Sequence, residues 1–255
     1  MYNYIVLYMY DLVIAVFGCD TIPKYRNQIE KINDTYGKYL PENVCIRFFL
    51  GEEEVLTGPL YVHLPGVKND YLSASYKQYL GIKYIHDNIP TKFVLCCGSD
   101  TYLNAYKLHK YIMKFQYLDN LYIGGHGSHR VIGTKNLYFH SGGPGFILSH
   151  ACIHKMYRFL DTFMETWIEV CNKYDLKHLL TACDVGISYL ANYDEINATY
   201  ILTNDLSFLH CNYKGAPCHI NQVVISEICC CHSMSLDDFD AFTKILVENR
   251  FFMGN

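Results

Sequence analysis

The stretch "KFVLCCGSDTYLN", Lys92 to Asn104, decides how the chain is to be read. It is a short apolar run that ends in Gly98, Ser99 and a single acid, Asp100. The run reads as a buried strand and the residues behind it, Thr101 to Lys114, as a helix. A strand whose C-terminal end meets a helix is where α/β sheets collect ligands, because free backbone N–H groups and side chains converge there. Asp100 occupies that place with two readings open. It is either a metal ligand that holds a phosphorylated substrate or, with Ser99, only the N-cap of the helix.

Working outward, the neighbouring segments repeat the strand-then-helix order. "LVIAVFG" (Leu12 to Gly18) reads as a strand, followed by Thr21 as N-cap, Pro23 in a first turn, and Ile22, Tyr25, Ile29, Ile32 and Tyr36 on one helical face. "VCIRFFLG" (Val44 to Gly51) is the next strand, and "DYLSASYKQYLGIKYIHDN" (Asp70 to Asn88) a helix closed near Pro90. Downstream the chain changes to short strands with glycine turns, "LYIGG" and "NLYFHSGGPGFILS". A single helix is then expected over His150 to Tyr174, with Ile153, Tyr157, Leu160, Met164, Trp167 and Cys171 inward. A last helix begins at Ser235, with Asp238 completing a partial capping box and Phe239, Phe242 and Leu246 inward. The alternation predicts an α/β fold, a mixed sheet covered by helices. With no linker or repeat in view, one domain over 1–255 is expected.

The 255 residues, 51% hydrophobic and 18% charged, suffice for a full core. A net charge of −4 without a dense Lys/Arg block argues against nucleic-acid or anionic-membrane partners and for a small or carbohydrate-like one. The 24 tyrosines suit half-buried strands and sugar-facing surfaces. Several of the 12 cysteines are vicinal, as in Cys96-Cys97 and Cys229-Cys230-Cys231, and lie in apolar runs, which favours buried thiols in a reducing compartment. The opening "MYNYIVLYMYDLVIAVFGCD" lacks a basic flank and carries Asp11 in its middle, so it reads as an edge segment and a strand rather than a membrane anchor.

Two further segments give Asp100 company. "HSGGPGFILS" (His140 to Ser149) is a glycine hinge that allows close backbone approach to a ligand, or only a tight turn. "ACDVGISYL" (Ala182 to Leu190) places Asp184 at a helix start, where it is either a carboxylate presented to a ligand or an acid favoured by the helix dipole. Together with "FFLG", "NDYLSASYKQYLGIKYI", "GSDTYLN" and "LSFLH" (Leu206 to His210), in that order and spacing, these motifs resemble the beta-1,3-glycosyltransferase family that includes Fringe and the core 1 galactosyltransferase. The resemblance runs from about Leu12 to the last helix.

The resemblance implies a GT-A fold, with a nucleotide-sugar half at about 1–115 and an acceptor half at about 116–255. It implies inverting transfer of a sugar from a UDP-sugar to a hydroxyl of a glycan or glycoprotein. The family's Mn²⁺-binding acid (Mg²⁺ being the alternative ion) falls on Asp100, its second metal ligand on His210 with His232 as a substitute, and its catalytic base on Asp184. Thr21, Asp70, Ser99, Asp100, Gly142 and Gly143 are the expected donor-binding residues. Gly98 and Ser99 stand where the family has two more acids, Cys183 where it has an acid before the base, and Ile29 and Asn33 where relatives carry arginines, whose role passes to Arg26 if it is kept. Fewer acids predict weaker metal binding that draws on the nucleotide's own phosphates, or else a noncatalytic binding or chaperone protein. A zinc site from Cys211, Cys218, His219 and Cys229 to His232 is a third reading. His126 and His129 in "GGHGSH" either touch the acceptor or are ordinary loop residues. The cytoplasm is the expected compartment, and the sequons at Asn33 and Asn197 keep the Golgi or ER lumen as the alternative.

Overall fold

The computed structural model of the protein describes residues 9–125, 127–203, 207–214 and 225–250. Its first half runs β1 (Tyr10–Phe17), α1 (Pro23–Asp34), β2 (Val44–Leu50), β3 (Tyr61–His63), α2 (Ser73–Asn88), β4 (Thr91–Gly98), β5 (Tyr102–Leu103) and α3 (Ala105–Ile112). Then follow β6 (Leu121–Gly124), the hairpin β7 (Gly127–Ile132) and β8 (Lys135–His140), β9 (Phe146–Ser149), α4 (His150–Leu160), α5 (Phe163–Lys173) and α6 (Cys183–Ala191). β10 (Thr199–Leu202), β11 (Phe208–Leu209), β12 (Cys230–Cys231) and α7 (Leu236–Glu248) complete the order.

The main sheet has seven strands in the order β10-β6-β9-β4-β1-β2-β3. β9 runs antiparallel to both its neighbours, and the other pairs are parallel. The expected mixed α/β sheet is therefore present, and strands from both expected halves share it. Leu12 to Val16 of β1 are wholly buried because both faces of this central strand are covered, which is why the run is continuously apolar rather than alternating. Val13 and Ala15 face a core built with α2, α4, α5 and α6, while Leu12, Ile14 and Val16 face one built with α1, α3 and α7. Asp11, the acid of the opening run, sits at the start of β1, bound to Lys92 at 2.7 Å and His109 at 3.0 Å. Among the described residues no helix is long and apolar enough to cross a membrane.

Several local expectations are corrected. The helix behind β4 does not start at Thr101: the chain first forms β5, and α3 begins at Ala105 under Asn104, whose side chain accepts from Lys107 N at 3.2 Å. Neither Ser99 nor Asp100 caps it. Asn104→Ala is thus expected to cost about 1 kcal/mol in urea unfolding. Thr21 is not an N-cap either; Ile22 holds that position without a side-chain bond, and Pro23 opens α1. The expected helix His150 to Tyr174 breaks into α4 and α5 at Thr162, whose ψ of 6° leaves the helical ladder. Beyond the break Phe163 packs on Tyr79, ring centroids 4.9 Å apart, and within α4 it is Met156 rather than Tyr157 that is buried in the core. The last helix starts as expected, Ser235 and Asp238 forming a full reciprocal capping box.

The thiols of Cys96, Cys97, Cys229, Cys230 and Cys231 are buried and free, as the apolar runs suggested. For zinc this is unfavourable. Burial pushes the thiols of Cys229 and Cys231 up to about 12, Cys211 is disulfide-bonded, and Cys218 and His219 lie outside the described residues.

Candidate active site

The sheet order itself locates a crevice. From β1 the chain passes to β2 and β3 on one side and then to β4 on the other, so the switch point lies at the C-terminal ends of β1 and β4. A cavity of about 390 Å³ opens there, walled by Phe17 to Cys19, by Ile22, Lys24, Tyr25 and Gln28 of the α1 end, by Asn69, Asp70, Tyr71, Ala74 and Lys77 at and before the start of α2, and by Gly98, Ser99 and Asp100. A second cavity, of about 520 Å³, shares Phe17, Tyr71, Ala74, Gly98 and Asp100 with the first and continues past Ser141, Gly142, Gly143 and Asp184 to His210 and His232. Asp100 thus stands on the common wall.

A buried network makes the floor of the first cavity rigid. Lys77, 2% exposed, donates to Gly18 O at 2.7 Å and Asn69 Oδ1 at 2.9 Å. Burial lowers its pKa, against the opposing influence of Cys19, Asp20 and Asp70. Asp20 in turn accepts from Val55 N and Leu56 N and fixes the following loop. Ser99 donates to Gln28 Oε1 at 2.7 Å, which ties β4 to α1. Asp70 accepts from Ser73 N at 2.7 Å, and its bonds to Ser73 lower its pKa. Thr21 does not line the cavity; its hydroxyl pairs with the Cys19 thiol at 3.3 Å. Arg26 is also outside the wall, where the lining cations are Lys24 and Lys77.

The small sheet β11-β12-β5 explains why imidazoles meet Asp100. β12 pairs antiparallel with β5, Cys231 opposite Tyr102, and parallel with β11, Cys231 opposite Leu209. The residues just beyond these strand ends, Asp100, His232 and His210, therefore fall in a row. His232 Nε2 lies 3.5 Å from Asp100 Oδ2. His210 comes next, its ring centroid 6.0 Å from that of His232 and its Nδ1 3.1 Å from Ser141 Oγ. The imidazole in contact with Asp100 is thus that of His232, and His210 lines the same cavity. Met234 N donates to Asp100 O at 3.0 Å, so the carboxylate is anchored through its own backbone.

Burial raises the pKa of Asp100, but the hydrogen bond and charge of His232, with Lys24 further off, outweigh it and hold the carboxyl below 3.8. Burial likewise lowers that of His232, but Asp100 outweighs it and raises the imidazole above 6.5. The raised histidine contributes stability that is full below its unfolded pKa and is lost as pH rises through its folded one. The depressed aspartate contributes stability that is lost as pH falls through its folded pKa. The pair is therefore strongest between about pH 4 and 6.5. Asp100→Asn is expected to move the His232 titration, followed by NMR, to lower pH; an unmoved titration contradicts the pairing.

Asp184 is in the first turn of α6, as expected, half-buried against the glycine loop. Its Oδ2 accepts from Gly142 N at 2.8 Å and its Oδ1 from Val185 N at 2.9 Å. Each carboxylate oxygen keeps one further lone pair for a ligand. The glycines are required by close approach. A Cβ on Gly142 would stand 3.2 Å from Asp184 Cβ, and one on Gly143 2.7 Å from His232 Nδ1. Gly143 O also accepts from Thr101 Oγ1 at 2.8 Å, linking the loop to the Asp100 strand end. The segment is a tight turn, since Gly145 N closes on Gly142 O. Cys183, beside Asp184, is pushed up to about 12, by burial and then by the Asp184 charge, and stays a neutral thiol.

Of the remaining expected residues, His129 is exposed on the β7–β8 hairpin with its ring against Tyr138, and His126 and Leu206 lie outside the described residues. Asn33 donates its amide to Tyr61 OH at 2.8 Å. Sequence reasoning missed Lys77, Asn69 and Gln28. The one signal for them was a lysine on the inward face of α2.

Residues 66–187 match the Fringe family, described as Fringe-like. The match includes Asp70, Lys77, Asp100, the glycine pair and Asp184. No curated protein matches the chain in sequence. Among solved structures it is similar to a glycosyltransferase involved in the glycosylation of the major capsid of PBCV-1, with 16% identity, a TM-score of 0.47, and coverage of 92% of this chain and 98% of that one.

Proposed function

We propose that this chain, Fringe-like over residues 66–187, is an inverting glycosyltransferase of GT-A type that moves a hexose from a UDP-sugar to a hydroxyl of a glycan or glycoprotein, with β-1,3 linkage as the expected product. The observation that carries the reading is the placement of Asp100 and Asp184 on one cavity that adjoins the crevice at the sheet's switch point. The first cavity takes the nucleotide, between the α1 end and the start of α2, with Lys24 as the cation toward its phosphates. The second takes the sugar and the incoming hydroxyl.

Asp184 acts as the base. Its carboxylate accepts the hydroxyl proton while that oxygen bonds to the anomeric carbon and the bond from that carbon to the diphosphate oxygen breaks, releasing UDP. Gly142 and Val185 hold the carboxylate in place, and the absence of a Cβ at Gly142 and Gly143 lets donor and acceptor approach in line. A divalent cation fits the Asp100 and His232 donor set, an oxygen and an imidazole nitrogen suited to Mn²⁺. Among the described residues no group of three or more His, Cys, Asp or Glu is placed to hold a metal, so the chain's share is small and the diphosphate must complete the shell. When bound, such an ion neutralises the leaving diphosphate.

The test is UDP release from UDP-galactose, UDP-glucose and UDP-N-acetylglucosamine with Mn²⁺ and simple sugar acceptors. One donor is expected to turn over. UDP binding without turnover of any donor, across acceptors, supports the noncatalytic reading, which the small metal set favours.

A further inference from the structure

Two tyrosines stand mostly in solvent among the described residues, Tyr117 at 88% exposed and Tyr71 at 74%. Tyr117 lines neither cavity, whereas Tyr71 lines both. The chain holds the main chain around Tyr71 and leaves its ring free. Before it, Asn69 Oδ1 accepts from Gly51 N at 3.0 Å and from Lys77 Nζ at 2.9 Å. After it, Ser73 N donates to Asp70 Oδ1 at 2.7 Å, and Ala74 N donates to Tyr71 O at 3.3 Å. Phe17, the other ring common to both cavities, is instead stacked on Phe49, centroids 5.4 Å apart. A fixed main chain and a ring with two free torsions cost little to order, so such a ring is suited to bind through its face.

The shared wall says which part of a ligand meets it. Gly98 and Asp100, at the end of β4, offer an acid and the ion it would hold, while Phe17, Tyr71 and Ala74 offer mainly apolar surface. A charged diphosphate belongs with the acid and its cation. A hexose carries hydroxyls at its edge and C–H groups on its faces, and those C–H groups pack on the electron-rich face of an aromatic ring. We propose that the Tyr71 ring stacks on a face of the hexose of the UDP-sugar, at the seam where the two cavities meet, and so helps to hold that sugar for transfer. This rests on the glycosyltransferase reading above and adds to it the platform on which the sugar lies.

The test is calorimetric titration of wild type, Tyr71→Ala, Tyr71→Phe and Tyr117→Ala with UDP and with whichever of UDP-galactose, UDP-glucose and UDP-N-acetylglucosamine wild type binds best, Mn²⁺ present throughout. In Tyr71→Ala the UDP-hexose is expected to bind roughly tenfold more weakly while UDP stays within about twofold. Tyr71→Phe keeps the ring and is expected to bind both within about threefold of wild type, and Tyr117→Ala to change neither. Melting temperatures are expected to match wild type, because both tyrosines are exposed. Unchanged UDP-hexose affinity in Tyr71→Ala overturns the inference alone, as does an equal loss for UDP and UDP-hexose, which places the ring on the uracil. So does a loss in Tyr71→Phe equal to that in Tyr71→Ala, a change confined to the acceptor's KM, or a wild type that binds UDP but none of the three UDP-hexoses. A wild type that binds no UDP overturns the reading and this inference with it.

Discussion

Asp184→Asn is expected to lower kcat by roughly 10²- to 10⁴-fold while UDP affinity stays near that of wild type. The substitution keeps the shape and one accepting oxygen but removes the charge that takes the hydroxyl proton. It also points an amide N–H₂ at one of two backbone donors, Gly142 N or Val185 N, where a carboxylate oxygen accepted before. A modest fall in melting temperature accompanies the kinetic loss for that reason. Stopped assays of UDP release measure the first effect, and calorimetry with UDP separates it from binding. A kcat within threefold of wild type removes Asp184 from the role of base.

Asp100→Ala is expected to remove the metal-dependent part of UDP affinity, a loss of more than roughly 100-fold, since partners outside the coordination shell already cost 10- to 100-fold in metal sites. The fold should survive, because α3 is capped by Asn104 and Asp100 is tied to Met234 through its main chain, which alanine retains. His232 then loses its counter-charge and titrates lower, which gives a second readout in the same variant. Unchanged Mn²⁺-dependent UDP binding in Asp100→Ala removes it as the ligand.

The two variants probe residues whose positions were legible in sequence to different degrees. The strands β1, β2 and β4 were read to within two residues, because central strands buried on both faces are unbroken apolar runs. Asp184 was likewise placed at its helix start by a local pattern. The environment of Asp100 was not. β5, β11 and β12 are two residues long, too short for any periodicity, yet their pairing alone brings His232 and His210 to Asp100. The cap reading failed for the same reason: β5 intervenes where helical spacing appeared to continue. The break at Thr162 was equally hidden, since its flanks keep apolar residues at 3/4 spacing. For Lys77 the inward lysine on α2 was the one sign, because what a buried polar side chain does on an amphipathic helix is settled only once its partners are known.

The account stands most directly on calorimetric titration of the wild-type protein with UDP, with and without Mn²⁺. It predicts one UDP per chain in the crevice between β1 and β4, bound at least roughly tenfold more tightly with the ion than without it. A protein that binds no UDP under either condition contradicts it.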